Sequence, residues 1–169
     1  LLHECLANQT TMVIDADGLN LLSKQSGQSP FYCDKRVLTP HPAEASRLLD
    51  CTVSDIQRDR VGAALKLAKR FGASAVLKGC GTVVADQNGR YAICPMGNPG
   101  MATGGSGDVL TGVIAALLAQ GLACYDAACA GVAAHAMAGD LASRDIGEIS
   151  MIASDIIDYL PDVWKETGS

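Results

Sequence analysis

The stretch that most limits how this chain can fold spans residues 95–107. Gly97, Pro99, Gly100, Gly104, Gly105 and Gly107 interrupt it so often that it can be neither a regular helix nor a strand, and something else must hold it. It leads directly into Leu110, Val113, Ile114 and Leu117, whose spacing predicts an amphipathic helix closed by Gln120 and Gly121. A glycine-rich loop entering a helix leaves backbone N–H groups free at the positive end of the helix dipole. That arrangement is an anion site, and glycines let a phosphate come close. Residues 98–112 read N-P-G-M-A-T-G-G-S-G-D-V-L-T-G. They match neither the G-x-x-x-x-G-K-[ST] of a P-loop nor the G-x-G-x-x-G of a dinucleotide fold, so neither family is supported.

Around this loop, short apolar runs alternate with amphipathic stretches, which predicts an α/β fold with a mainly parallel sheet. Strands are expected at Val13 and Ile14, at Val37 and Leu38, and over residues 75–77. Residues 82–85 and 91–94 should form a small antiparallel hairpin around Asn88 and Gly89. Residues 19–23 predict a short helical turn, and residues 25–34 a polar loop. Residues 41–49 predict a helix with Pro42 at its first position. Thr52 and Asp55 suggest a capping box that opens one longer helix, its face formed by Val61, Ala64, Leu65, Ala68 and Phe71 and its end set by Gly72. A helix over residues 126–141, rich in Ala and Gly, must pack backbone-close against a neighbour, and a last helix shows Ile156, Leu160 and Trp164, with a kink expected at Pro161.

Composition narrows the function classes. A chain of 169 residues with 49% hydrophobic content predicts one folded, soluble domain rather than disorder. The net charge of −5 supplies no electrostatic footprint for nucleic acid or an anionic membrane. The 7 cysteines are scattered without C-x-x-C spacing, so reduced thiols in a cytoplasmic compartment are expected rather than a disulfide framework or zinc site.

Candidate chemistry gathers at four places. Asp108, in the first turn after the glycines, is either a partner of the helix dipole or the base that takes a proton from a hydroxyl being phosphorylated; the adjoining glycines favour the base. His41 and Glu44 in H-P-A-E form either a helix cap or a substrate contact with a Glu facing the water shell of Mg²⁺, and spacing alone does not separate the two. Asp15 and Asp17 follow a strand end, where open α/β sheets bind ligands, although composition is equally consistent with a plain turn. Lys78, in L-K-G-C-G-T, could receive a nucleotide or stand solvated before the hairpin, the commoner case. His135, set among alanines, is expected to be a hydrogen-bonded core histidine.

Taken together, residues 13–20 (V-I-D-A-D-G-L-N), 38–44 (L-T-P-H-P-A-E), 76–84 (V-L-K-G-C-G-T-V-V), 97–112 and 152–158 (I-A-S-D-I-I-D) resemble, in order and across nearly the whole chain, the ADP/ATP-dependent NAD(P)H-hydrate dehydratases of the ribokinase-like superfamily. The resemblance implies repair of hydrated NADH or NADPH: ADP or ATP phosphorylates the added hydroxyl, and loss of phosphate restores the dihydronicotinamide. Carried over by motif, it implies Asp108 as base, Gly105, Ser106 and Gly107 as anion hole, and His41 with Asp108 as contacts to the hydrate. It also implies Lys78, Gly79, Cys80, Gly81, Thr82 and Gly107 as the nucleotide site, with Glu44 associated with Mg²⁺. Ala43 stands where the family usually has Gly. The chain opens at Leu1 rather than Met and resembles the carboxyl-terminal portion of the family's domain, whose amino-terminal part is not represented. A homo-oligomer is expected, fused to or working with an NAD(P)H-hydrate epimerase. A ribokinase-like kinase of a small vitamin-type alcohol, or a non-catalytic nucleotide-binding or assembly module, would share many of these features.

Overall fold

The computed structural model describes residues 2–8, 10–24 and 34–167; the polar loop expected over residues 25–34 falls almost entirely outside them. The chain forms α1 (Leu2–Ala7), β1 (Met12–Ile14), α2 (Ala16–Ser23), β2 (Arg36–Leu38), α3 (Pro42–Leu49), α4 (Val53–Arg58), α5 (Arg60–Phe71), β3 (Ser74–Leu77), β4 (Thr82–Ala85), β5 (Tyr91–Cys94), α6 (Ser106–Ala119), α7 (Cys124–Ile146) and α8 (Ala153–Thr167). The strands lie in sequence order in one sheet. β1, β2 and β3 run parallel, and β4 and β5 complete the sheet as the antiparallel hairpin expected from Asn88 and Gly89.

Alternation along the strands divides the core. Leu38, Ala75, Leu77, Val83 and Ala85 face one way, onto Leu48, Ile56, Ala64 and Leu67 of α3, α4 and α5. Val37, Val76 and Val84 face the other way, onto Leu110 and Ile114 of α6 and Ala128 and Val132 of α7. A period of two in the strands thus covers both sheet faces with helices. A third cluster joins Ala134, Ala138 and Ala142 of α7 to Ile156 and Val163 of α8.

Four details differ from the sequence expectation. The long helix after Thr52 is two helices, because Asp59 leaves helical geometry (φ −142°, ψ 76°) and its carboxylate caps α5 at the Gly62 amide. The face of α5 is also rotated: Ala63, Ala64, Leu67 and Ala68 are buried, while Val61, Leu65 and Phe71 flank them. A short 3₁₀ turn (Pro99–Met101) interrupts the glycine stretch, and α6 begins at Ser106, inside the region expected to be loop. The apolar face of α8 divides, so that Ile156 is buried against α7 whereas Trp164 remains 41% exposed. The first helix, α1, carried no recognised sequence signal.

The small residues of α7 do pack backbone-close. A Cβ at Gly131 would lie 2.7 Å from Cγ1 of Ile114, a fully buried and χ1-stiff side chain. Gly112, exposed in α6, would meet nothing within 4 Å. Opposite outcomes follow for the two helical glycines. Gly131→Val should destabilise by about 1–3 kcal/mol through overpacking, and Gly112→Ala should stabilise by up to about 1 kcal/mol through helix propensity. Denaturant midpoints of the two variants check both signs.

Candidate active site

The topology brings Asp15, His41, Lys78 and the start of the glycine stretch to one end of the sheet. Asp15 follows β1, His41 follows β2 after two residues, and Lys78 follows β3; these three strands are parallel, so their carboxyl ends coincide. The antiparallel hairpin sets Thr82 opposite Cys94 at the same edge, from which the glycine stretch departs toward α6. This is the position in open α/β sheets where ligands bind.

The start of α6 is unusual. Its N-cap is Gly105 at φ 89°, and no side chain caps it. The Ser106 amide donates to the Thr103 carbonyl, whereas among the described residues the amides of Gly105, Gly107 and Asp108 have no acceptor. The Asp108 carboxylate, exposed beside them, likewise has no hydrogen-bond partner among the described residues. Ser106 itself is buried, its carbonyl accepting from His135 Nε2 (3.0 Å) with its hydroxyl 3.3 Å from the same nitrogen. Of the three residues expected to form the anion hole, two present free amides and the third anchors the turn from behind.

The loop before α6 is held by α7. The Asp140 carboxylate accepts from the Gly97 amide (3.0 Å) and from Asn98 Nδ2 (3.0 Å), which also donates to the Gly139 carbonyl. Gly100 fits closely against Glu148, whose carbonyl would stand 2.5 Å from an added Cβ. Sequence reasoning did not select Asp140, although it is the only acid in the Ala- and Gly-rich span 127–142.

Lys78 is not solvated. Its ammonium donates to Asp15 Oδ1 (2.8 Å), and the Lys78 and Asp15 side chains are 20% and 11% exposed. Thr111 of α6 donates to the other Asp15 oxygen at 3.0 Å, and the Ala16 amide donates to Oδ1 at 2.9 Å. Burial alone would raise the Asp15 carboxyl, but the hydrogen bond and charge of Lys78, with Ala16 and Thr111, outweigh it and hold Asp15 below its ordinary value. Arg60, also unselected, braces the turn after β3 by donating to the carbonyls of Leu77, Lys78 and Gly81. Thr82 closes the turn onto the Gly79 carbonyl, and Cys80 is exposed within it with a free thiol.

His41 and Glu44 form a complete capping box. Nδ1 of His41 accepts from the Ala43 and Glu44 amides, and Glu44 Oε2 accepts from the His41 amide at 2.8 Å. Glu44 is buried, with Oε1 3.4 Å from His41 Nε2. Among the described residues no group of three or more His, Cys, Asp or Glu could hold a metal ion, and no helix is long and apolar enough to cross a membrane. A cleft of about 760 Å³ opens between α6 and α8, with Asp108 at its rim and Val113, Leu117, Ile157, Leu160 and Trp164 along its walls.

Fold and site together define a ribokinase-like α/β domain; a ribokinase from Thermotoga maritima, 21% identical over 94% of this chain and 52% of its own (TM-score 0.53), shares that fold. The NAD(P)H-hydrate dehydratase family model matches residues 1–162, and the chain belongs to that family. The chain is 46% identical to a bifunctional NAD(P)H-hydrate repair enzyme of Coxiella burnetii, over 95% of this chain and 32% of that protein. It is 46% identical to an ADP-dependent (S)-NAD(P)H-hydrate dehydratase of Neisseria meningitidis, over 80% of this chain and 47% of the relative. The ADP/ATP-dependent NAD(P)H-hydrate dehydratase of Bacillus subtilis, co-crystallised with ATP and Mg²⁺, superposes with a TM-score of 0.86 at 30% identity, covering 98% of this chain and 58% of that one. The chain therefore spans between a third and three fifths of the length of these dehydratase-family relatives.

Burial lowers the His135 imidazole below its ordinary value, and the bond to the Ser106 carbonyl only partly opposes this. Because the folded value is the lower one, the stabilisation is complete above the unfolded value of about 6.5 and is withdrawn as the pH falls through the folded value. Melting temperature should therefore decline as the pH is lowered from about 6.5, before carboxylates titrate, and His135→Gln should flatten that decline. A thermal-melt series across this range in both proteins is the check.

Proposed function

We propose that these residues supply the phosphoryl-transfer machinery of an ADP- or ATP-dependent NAD(P)H-hydrate dehydratase. The observation that carries this is the set of acceptor-free amides at Gly105, Gly107 and Asp108 beside the unpartnered Asp108 carboxylate. The hydroxyl oxygen of hydrated NADH or NADPH bonds to the terminal phosphorus of the nucleotide and its proton passes to Asp108. The bond from phosphorus to the bridging oxygen breaks, and AMP or ADP leaves. The carbon–oxygen bond then breaks with release of inorganic phosphate and a proton from the adjoining carbon, which restores the double bond of the dihydronicotinamide.

On this reading His41 and Asp108 contact the hydrate. The free amides stabilise charge on the transferring phosphoryl, with Ser106 fixing their direction through His135. Lys78, Gly79, Cys80, Gly81, Thr82 and Gly107 meet the nucleotide. Magnesium, which keeps waters and favours one or two carboxylates plus phosphates, fits as a companion of the nucleotide, with Glu44 as the buried carboxylate that would face its water shell. When bound, it would neutralise phosphate charge. The 169 residues act as one unit of the carboxyl-terminal part of the enzyme's domain. We place the protein in the cytoplasm, supported by the exposed free thiols of Cys51 and Cys80, as a homo-oligomer. An epimerase of the same hydrate is the accompanying activity, supported by the bifunctional relatives.

Adding ADP or ATP to hydrated NADPH should restore reduced-nicotinamide absorbance. Asp108→Asn should lower turnover by about 10²- to 10⁴-fold while nucleotide affinity changes little. A stable phosphorylated product without absorbance recovery would instead identify an alcohol kinase. Unchanged turnover in Asp108→Asn would remove the general-base role, whereas nucleotide binding without any turnover in the wild-type chain would identify a binding module.

A further inference from the structure

We infer that Asp15 is a positioning residue for the transfer step: with Thr111 it clamps the Lys78 ammonium against Gly107, so that Lys78 serves the migrating phosphoryl group rather than the adenosine end of the nucleotide. The inference rests on the reaction proposed above.

Three segments meet at Asp15. Lys78 comes from the end of β3 and Thr111 from the second turn of α6, and each takes a different oxygen of the same carboxylate. A Cβ at Gly107 would lie 3.3 Å from Lys78 Nζ and 3.8 Å from Asp15 Oδ2, so the ammonium stands directly against the backbone whose amide is free. The ammonium has three donors, and among the described residues Asp15 is its only partner. The remaining N–H groups are available beside the same helix start that offers the Gly107 and Asp108 amides. A lysine held here adds a fixed positive charge where phosphoryl charge develops, whereas an untethered four-carbon stem would spread that charge over many positions.

The backbone at Asp15 supports a dedicated role. Ala16 adopts φ 46°, a left-handed conformation uncommon for a residue with a Cβ. That conformation accompanies an Ala16 amide bonded to the Asp15 side chain, which fixes the carboxylate within its own turn. Such strain persists where the surroundings over-determine it. A plain turn after β1 would need neither the strained residue nor partners 63 and 96 positions away in sequence.

The test compares turnover with binding in the full chain. Lys78→Met should reduce turnover by about 100-fold, the scale of losing one charge-stabilising donor, and should weaken ATP while leaving AMP affinity within about twofold. Asp15→Asn removes a negative charge, so phosphate attraction alone cannot explain a loss of turnover. We expect about a tenfold fall in kcat with KM for ATP unchanged or lower. In the Lys78→Met background the same Asp15→Asn change should cost less than about twofold, because there is no ammonium left to position. Thr111→Val should repeat part of the Asp15→Asn effect and Thr111→Ser restore it, which keeps the test open if Asp15→Asn fails to fold. Equal weakening of ATP and AMP by Lys78→Met, an undiminished Asp15→Asn cost in that background, or unchanged turnover in both Asp15→Asn and Thr111→Val overturns the inference. A wild-type chain that binds ATP but leaves the hydrate untouched would instead overturn the assigned reaction, and the ATP-against-AMP comparison would still decide where Lys78 acts.

Discussion

A helix that begins on a left-handed glycine, with no side chain to cap it, leaves main-chain donors that must find an acceptor from elsewhere. Much of the surrounding structure holds that end of α6 still. Asp140 and Asn98 tie the approaching loop to α7, His135 grips the Ser106 carbonyl from the buried side, and Thr111 joins the next turn to β1 through Asp15. Ile114 and Leu110 seat the apolar face of α6 on the sheet. None of these side chains caps an amide of the first turn. They fix the helix while leaving its donors exposed, which is the arrangement expected of a site built to receive an anion.

How much of this was legible in the sequence depends on the range of the interaction. The hairpin around Asn88 and Gly89 and the capping box at His41 and Glu44 are local, decided within a few residues, and both form at the expected positions. The break between α4 and α5 is also local: Asp59 has the chemistry of an N-cap, a signal that the helical period of the apolar residues after it masks. The Asp15, Lys78 and Thr111 cluster could not be read in this way. Its members lie 63 and 96 residues apart, and periodicity carries no information on which distant polar groups share a carboxylate. The Ala- and Gly-rich helix is intermediate: its composition announces close packing, but the side chains that press on its glycines, Ile114 on Gly131 and Met101 on Gly139, come from distant segments that only the fold reveals.

The turn at His41 shows that a structural and a functional role need not compete. Glu44 is buried, and a carboxylate removed from water is costly unless it is hydrogen-bonded; the His41 amide supplies a donor at 2.8 Å from within the same helical turn. Since that bond already satisfies one oxygen, Glu44 does not depend on a resident cation for its stability. On the proposed reading Glu44 would face the water shell of a cation accompanying the nucleotide, and that cation would supply charge neutralisation there. The cap also turns His41 to the sheet edge shared with Lys78, whose amide donates to the neighbouring Pro40 carbonyl. The bonds that end β2 and start α3 therefore also place the candidate substrate contact beside the candidate phosphoryl contact, and a change in that turn would move both together.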